Sequence, residues 1–285
     1  MEAVGFGFVV STQPKQKMAR TPYPDDLTDA QWHKIAPMIP SAKPGGRRRT
    51  QDMREILNAI FYMLRAGCAW RLLPHDLPRW QTVYYYFRRW QADGTWERIH
   101  YLLRAEVRVR AGRCVEPSSA IADSQSVKTA DKALENGYDA GKNVKGRKRH
   151  ILVDTMGLLL IVLVHSAHRQ ERQGFQLLLE WAKEFWPRLQ LIWVDGGYQG
   201  QTFADWVKSL TGWILEVVKR PEGSKGFSVL PRRWVVERTF AWFNRYRRLG
   251  KDYEYLPTTS ETMIYVAMIH LMLKRLTSNS SVIAL

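Results

Sequence analysis

The sequence predicts an α/β protein in which a small all-helical domain precedes a larger domain built on a mixed β-sheet. Two observations predict it. Up to Gly112 the apolar residues recur at helical spacing, whereas beyond it short β-prone runs alternate with helical stretches. The later elements read strand, strand, strand, helix, strand, helix, strand, helix, an antiparallel start followed by helix-crossed parallel strands. At 285 residues the chain is long enough for two modest domains, or for one large domain carrying appendages, and each could bury its own core. The expected divisions are a tail over 1–17, a helical domain over 18–115, the α/β domain over 116–276 and a second tail over 277–285.

The opening MEAVGFGFVVSTQPKQK has a short apolar stretch, no cation before it and no small-residue cleavage site after it, a poor signal peptide and therefore a tail. Thr28, followed three residues later by Gln31, has capping-box spacing and starts a helix that closes at Pro40. SAKPGGRRRT is a basic connector. In QDMREILNAIFYMLRAG, Ile56, Leu57, Ile60, Phe61, Met63 and Leu64 share one helical face, and Gly67 is placed as the C-cap. A proline-punctuated turn, CAWRLLPHDLPRW, leads to helices in TVYYYFRRWQADG and TWERIHYLLRAEVRVRAG. Helix, turn, helix with a basic aromatic element fits a helix-turn-helix-like major-groove reader, and fits equally a plain bundle with solvated arginines.

In the second domain a short strand ends on Asp123, and a polar, basic segment follows from Thr129 to Arg149. RHILVDTMGLLLIVLVHSA gives two strands joined around Met156 and Gly157, the second apolar enough for a central position. QGFQLLLEWAKEFW is an amphipathic helix, LQLIWVDGGY a strand ending on Asp195, TFADWVKSL a helix and WILEVVKR the last strand. RRWVVERTFAWFNRYRRL is a helix. SETMIYVAMIHLMLKRL is a terminal packing helix, with dimer contact as the sharper alternative.

Forty-three Lys and Arg against 27 Asp and Glu leave a net charge of +16, a surface that seeks a polyanion. With aromatic residues among the cations, nucleic acid leads over an acidic membrane. The longest apolar run, Gly157 to Val164, falls far short of the roughly 18–20 residues that span a bilayer. Cys68 and Cys114 stand apart with no CxxC, which indicates neither a zinc ribbon nor a disulfide framework and fits a reducing cytosol. Candidate phosphate contacts are Arg47, Arg48 and Arg49 of the connector, Arg88 and Arg89 of the aromatic helix, Lys128, and Lys142, Lys145, Arg147, Lys148 and Arg149 of KNVKGRKRH. That run reads as a DNA-contacting loop with a glycine for close backbone approach, a solvated loop being the plainer alternative. His150 and His165 lack the spacing zinc prefers and read as structural.

Asp123 and Asp195 sit at strand ends, where open α/β sheets place ligands. Glu237 lies among Trp234, Val235, Phe240, Ala241 and Phe243, and a carboxylate so placed must be paired, hydrogen-bonded or metal-bound. Each alone also fits an N-cap, a surface charge or an ion pair, and Asp154, at another strand end, reads as a hairpin turn residue. Three convergent carboxylates suit two hard divalent cations, magnesium best and manganese as a substitute, which clamp the attacking and leaving oxygens of a phosphodiester. There is no GxSxG elbow, HExxH or Walker loop, so acyl transfer, zinc peptidase and nucleotide hydrolase chemistries have no support. Glu254 and Glu261, in more polar surroundings, are expected to tolerate glutamine.

In order over residues 21–276, the segments PYPDDLTDAQW, RAGCAWRLLP, TVYYYFRRW, DSQSVKT, GRKRHILVDTMGLLL, VDGGY, KRPEGSKGFSVLPRRWVVERTFAWFNRYRRL and KDYEYLP resemble the insertion sequence 5 group of DDE transposases. The resemblance implies a ribonuclease H-like second domain, with Asp123, Asp195 and Glu237 as catalytic, metal-holding residues and Arg233 as a phosphate contact. A basic residue is due seven positions after Glu237, where Asn244 stands; Arg245 and Arg248 are the two replacements. HRQERQG, residues 168–174, lacks aspartates that the resemblance would place there. The implied protein is a bacterial, cytoplasmic and nucleoid-associated enzyme that binds the inverted ends of its element, cuts through metal-activated water and joins the 3′ hydroxyl to target DNA. Double-stranded DNA is its partner, with no membrane, and bringing two ends together implies a homodimer or higher assembly. The rivals are a catalytically silent DNA-binding protein, against which the retained carboxylates speak, and a ribonuclease H-like nuclease that cuts without joining.

Overall fold

Thr28 caps the first helix as its spacing predicts: its hydroxyl accepts the Gln31 amide, the Gln31 side chain accepts the Thr28 amide, and α1 (Asp29–Ile35) follows. The computed structural model describes residues 20–42, 45, 49–218 and 232–278. In α2 (Met53–Ala66) the Asp52 carboxylate caps the Arg54 and Glu55 amides, and Gly67 ends the helix at φ 74°, a left-handed position. A Cβ on Gly67 would also stand 2.9 Å from the Arg247 side chain, so the cap must be bare on both counts. α3 (Trp80–Ala92) turns Val83, Phe87 and Trp90 inward and leaves Tyr84 and Tyr85 exposed. Trp96 of α4 (Thr95–Arg110) is buried beneath it and donates to the Phe87 carbonyl at 3.1 Å.

The sheet contains β1 (Ser119–Lys128), β2 (Gly137–Asp139), β3 (Val144–Asp154), β4 (Leu159–Ser166), β5 (Leu191–Val194) and β6 (Ile214–Val217). Its order is β2-β3-β1-β5-β6, with β4 also paired to β3. β3 runs antiparallel to β1, β2 and β4, while β5 runs parallel to β1 and β6. The remaining helices are α5 (Glu171–Ala182), α6 (Gln201–Thr211), α7 (Arg233–Phe243) and α8 (Pro257–Thr277). Asp154 closes the β3–β4 turn, its carboxylate accepting the Met156 and Leu158 amides and pairing with Arg108.

Several expectations about the elements need correction. β1 continues past Asp123 to Lys128, so that aspartate lies within its strand. The apolar β4 pairs with β3 alone and is not central; its Val164 amide is satisfied by the Glu261 carboxylate at 2.8 Å. The helix carrying Glu237 stops at Phe243, and Arg247–Leu249 form a separate 3₁₀ turn. The basic run is not a loop: from Val144 onward it is β3, and Gly146 makes its close approach to the Val127 carbonyl, which a Cβ would meet at 1.9 Å.

β3 buries Arg147, Lys148 and Arg149; the first two are compensated by ion pairs and carbonyls, while Arg149 has one acceptor and a buried Nε without a partner. Arg147 donates to the Leu134, Glu254 and Tyr255 carbonyls and pairs with Asp252, itself buried. Lys148 pairs with Asp139 at 3.1 Å and donates to the Arg169 carbonyl, and Arg149 donates to the Leu249 carbonyl.

Two apolar cores flank the sheet. One joins Ile56, Phe61, Trp96 and Leu103 of the helical region to Ile121, Ile151 and Val153 of the sheet and to α7 and α8, so it crosses the expected boundary near residue 115. The other packs Ala122, Leu152, Ile192 and Val194 against Phe175 and Leu178 of α5 and Phe203 of α6. The helical region and the sheet therefore share the first core, while the second belongs to the α/β region alone.

Arg147→Ala should lower the melting temperature sharply, with a loss of about 3–5 kcal/mol, because it strands a buried Asp252. Lys145→Ala, an exposed neighbour, should change stability by less than about 0.5 kcal/mol, and thermal melts of the two variants check the contrast. Glu254 is buried and Glu261 half-buried, where more polar surroundings were expected for both. Burial pushes the Glu261 carboxyl up to about 7, a raised acid whose ionisation costs stability as pH climbs from the ordinary carboxylate range through about 7. Glu261→Gln should accordingly raise the melting temperature at pH 8 and change it little at pH 5; equal shifts at both would contradict this.

Candidate active site

The parallel pairing of β1 with β5 sets Ile121 opposite Trp193, and Asp123 and Asp195 each lie two residues further on. Two carboxylates from sequence-distant strands thus arrive side by side. Asp195 follows β5 directly, and its carboxylate accepts the Gly197 amide at 2.9 Å. α7 contributes the third, because Arg233 and Glu237 are four residues apart on one helix face.

These groups meet around one guanidinium. Arg233 lies 3.2 Å from Asp123, 3.7 Å from Asp195 and 4.0 Å from Glu237. Burial pushes the Asp123 carboxyl up; the Ser124 amide and Arg233 pull it back, while the negative charge of Asp195 adds to the rise. Glu237 is the most open of the three, its side chain 54% exposed, so it is accessible from outside the cluster. The Tyr198 hydroxyl is buried without a hydrogen-bond partner, and burial, with Glu171, Asp123 and Asp195 nearby, pushes it well above the usual phenol range.

Among the described residues no three Asp, Glu, His or Cys side chains are spaced to grip a single metal ion; the three carboxylates share the guanidinium instead. The donor set nevertheless fits a hard divalent cation, since every donor is a carboxylate oxygen and all three already gather around a positive charge.

The candidate phosphate contacts separate by exposure. Lys128, Lys142, Lys145 and Arg245 are exposed, and Arg88 and Arg89 are half-buried on α3, Arg88 donating to the Thr259 hydroxyl at 3.0 Å. Arg49 is half-buried and donates to the Pro40 carbonyl, while Arg47 and Arg48 lie outside the described residues. Arg147, Lys148, Arg149 and Arg248 do not belong in the set. The first three are committed within β3, and Arg248 is buried against Glu254 at 2.7 Å and the Cys68 carbonyl. His150 and His165 are buried and stacked, ring centres 5.0 Å apart, and burial lowers both.

One acidic residue beside the site escapes the sequence reading. Glu171 accepts the Ser124 hydroxyl and the Lys142 ammonium, next to Asp123. The signal was HRQERQG itself, where the missing aspartates drew notice and the glutamate present did not.

Residues 116–272 match the family described as "Transposase DDE domain", and residues 27–100 match "Putative transposase of IS4/5 family". The chain is 32% identical over 108 residues to the "Insertion element IS402 uncharacterized 16.2 kDa protein" of Burkholderia cepacia, covering 36% of this chain and 72% of that relative. It is 32% identical over 82 residues to "Uncharacterized protein y4sN" of Sinorhizobium fredii, covering 29% and 66%. No described helix is long and apolar enough to cross a membrane. Asp123, Asp195 and Glu237 all fall inside the first matched region, which spans more than half the sequence, and the chain belongs to the DDE transposase family, with a ribonuclease H-like α/β fold and a helical region of the IS4/5 type.

Proposed function

We propose that this transposase binds the inverted ends of its insertion element, cuts DNA there and joins the freed 3′ hydroxyl to target DNA. The observation that carries the reading is the convergence of Asp123, Asp195 and Glu237 on one positive charge beside two parallel strands. These three would hold two magnesium ions, or manganese in their place. The chemistry such ions would supply when bound is neutralisation of phosphate charge and a more acidic attacking water.

The chain's own residues do the remainder. Arg233 offsets the carboxylates' mutual repulsion and would donate to a phosphate oxygen of bound DNA. Lys142, Lys145, Lys128 and Arg245 supply exposed positive charge for the DNA backbone. Exposed Tyr84 and Tyr85, with Arg89 beside Tyr85, give the helical region an aromatic and basic face for reading the element's ends. Two ends must be joined in one event, so a homodimer or larger assembly on the bacterial nucleoid, in the cytoplasm, is the working form.

Labelled element ends incubated with magnesium test the reading. Asp123→Ala, Asp195→Ala and Glu237→Gln should each reduce cleavage and joining by orders of magnitude while duplex binding stays within a few-fold. Retained cleavage in Glu237→Gln would remove it from the reaction, and cleavage without joining in the unaltered protein would favour a nuclease. Calcium in place of magnesium should preserve binding and stop cleavage, because its looser coordination does not fix the reacting oxygens.

A further inference from the structure

Glu171, at the start of α5, is a carboxylate that the proposed reaction does not use. One of its oxygens accepts the Lys142 ammonium at 2.6 Å and the Ser124 hydroxyl at 2.9 Å. Ser124 in turn follows Asp123, and its amide donates to the Asp123 carboxylate at 2.7 Å. Across Gly197, whose hydrogen leaves the space open, a Cβ would lie 3.0 Å from an Asp195 oxygen and 3.6 Å from the second oxygen of Glu171. The buried, unpartnered Tyr198 hydroxyl is under the influence of Glu171, Asp123 and Asp195 together. Glu171 is thus linked through Ser124 to Asp123 and lies close to Asp195.

A carboxylate in this position has two disadvantages. Burial favours its neutral form, and its charge repels the phosphate that the site must admit. Burial is outweighed by Lys142 and Ser124, which together hold Glu171 below the usual carboxylate range. Lys142 is restrained in return. Its ammonium also lies 3.3 Å from the Ser124 carbonyl and 3.4 Å from the Ser124 hydroxyl, yet its side chain is 41% exposed. A long, flexible cation is held at the mouth of the carboxylate cluster with a face open to solvent, where a free lysine would spread over many rotamers.

We propose that Glu171 is a positioning residue, clamping the Lys142 ammonium beside Asp123 so that it takes a phosphate oxygen of the DNA strand entering the site. The inference rests on the DNA-cutting reading above, and its test turns on the sign of an effect. If Glu171 were merely one more negative charge near the DNA path, Glu171→Gln would tighten DNA binding. As a clamp, Glu171→Gln frees Lys142 and weakens it.

Fluorescence anisotropy of a labelled duplex carrying the element's end, in calcium and across a salt series, measures this for the unaltered chain and its Lys142→Met, Glu171→Gln and doubly substituted forms. Each single change should weaken binding several-fold and reduce the salt slope by about one phosphate contact, and the double change should be no worse than either. Glu171→Asp should recover part of the loss, and melting temperatures should show all forms folded. Unchanged or tighter binding in folded Glu171→Gln, or losses that add in the double variant, would overturn the clamp. Magnesium-dependent cleavage by the unaltered chain is scored separately: its absence with binding intact sinks the cutting reaction, while the binding comparison still decides the clamp.

Discussion

Three carboxylates cannot share a small volume unless a positive charge stands among them, and in this fold Arg233 provides it. The surrounding architecture follows from bringing those groups to one point. β1 and β5 must be parallel neighbours for Asp123 and Asp195 to emerge together. α7 must lie across them in a fixed rotation, because one residue of slippage would turn Arg233 and Glu237 away by about 100°. It is fixed by packing and by hydrogen bonds. Val236 and Phe243 are buried in the shared core, the Thr239 hydroxyl donates to the Gly157 carbonyl at 2.9 Å, and Arg238 donates to the Met156 carbonyl at 3.1 Å. The β3–β4 turn thus serves as the anchor for the helix that completes the site, and Asp154, by bonding the Met156 and Leu158 amides, shapes that anchor.

The strong positive charge has two distinct destinations. Part faces solvent, on Lys128, Lys142, Lys145 and Arg245. Another part is structural: Arg147 gathers the carbonyls of Leu134, Glu254 and Tyr255, and Arg248 joins Glu254 to the Cys68 carbonyl of the helical region. Net charge predicts long-range attraction to a polyanion, but the same guanidinium that suits phosphate also suits a cluster of carbonyls.

Local backbone chemistry was readable directly in the sequence. The Thr28 capping box, the Gly67 cap and the Asp154 turn depend on residues within a few positions of one another, and all three occur as read. Asp123 and Asp195 stood out in the sequence through the resemblance, since each alone also fits a cap, a surface charge or an ion pair; the structure brings both to the Arg233 guanidinium. The strand through GRKRH was not, since strand periodicity shows as alternation of apolar with polar residues and four consecutive polar residues offer no contrast. Their burial is decided by carbonyls such as those of Leu249 and Glu254, which lie far away in sequence. Glu261 was expected in polar surroundings for the same reason, its placement being set by the edge amide of β4. Glu171 was hidden by its position, because an acid in a helix's first turn already has an ordinary explanation in the helix dipole.

The shared cation site is tested most directly by titrating manganese into the protein in a calorimeter, comparing the unaltered chain with Asp123→Asn and Arg233→Ala. If divalent ions take the place that the guanidinium holds among the carboxylates, the two substitutions have opposite signs: Asp123→Asn weakens manganese binding by removing a ligand, and Arg233→Ala strengthens it by removing a competing cation. No saturable binding to the unaltered chain, or equal affinity in all three proteins, would contradict a cation site built from Asp123, Asp195 and Glu237.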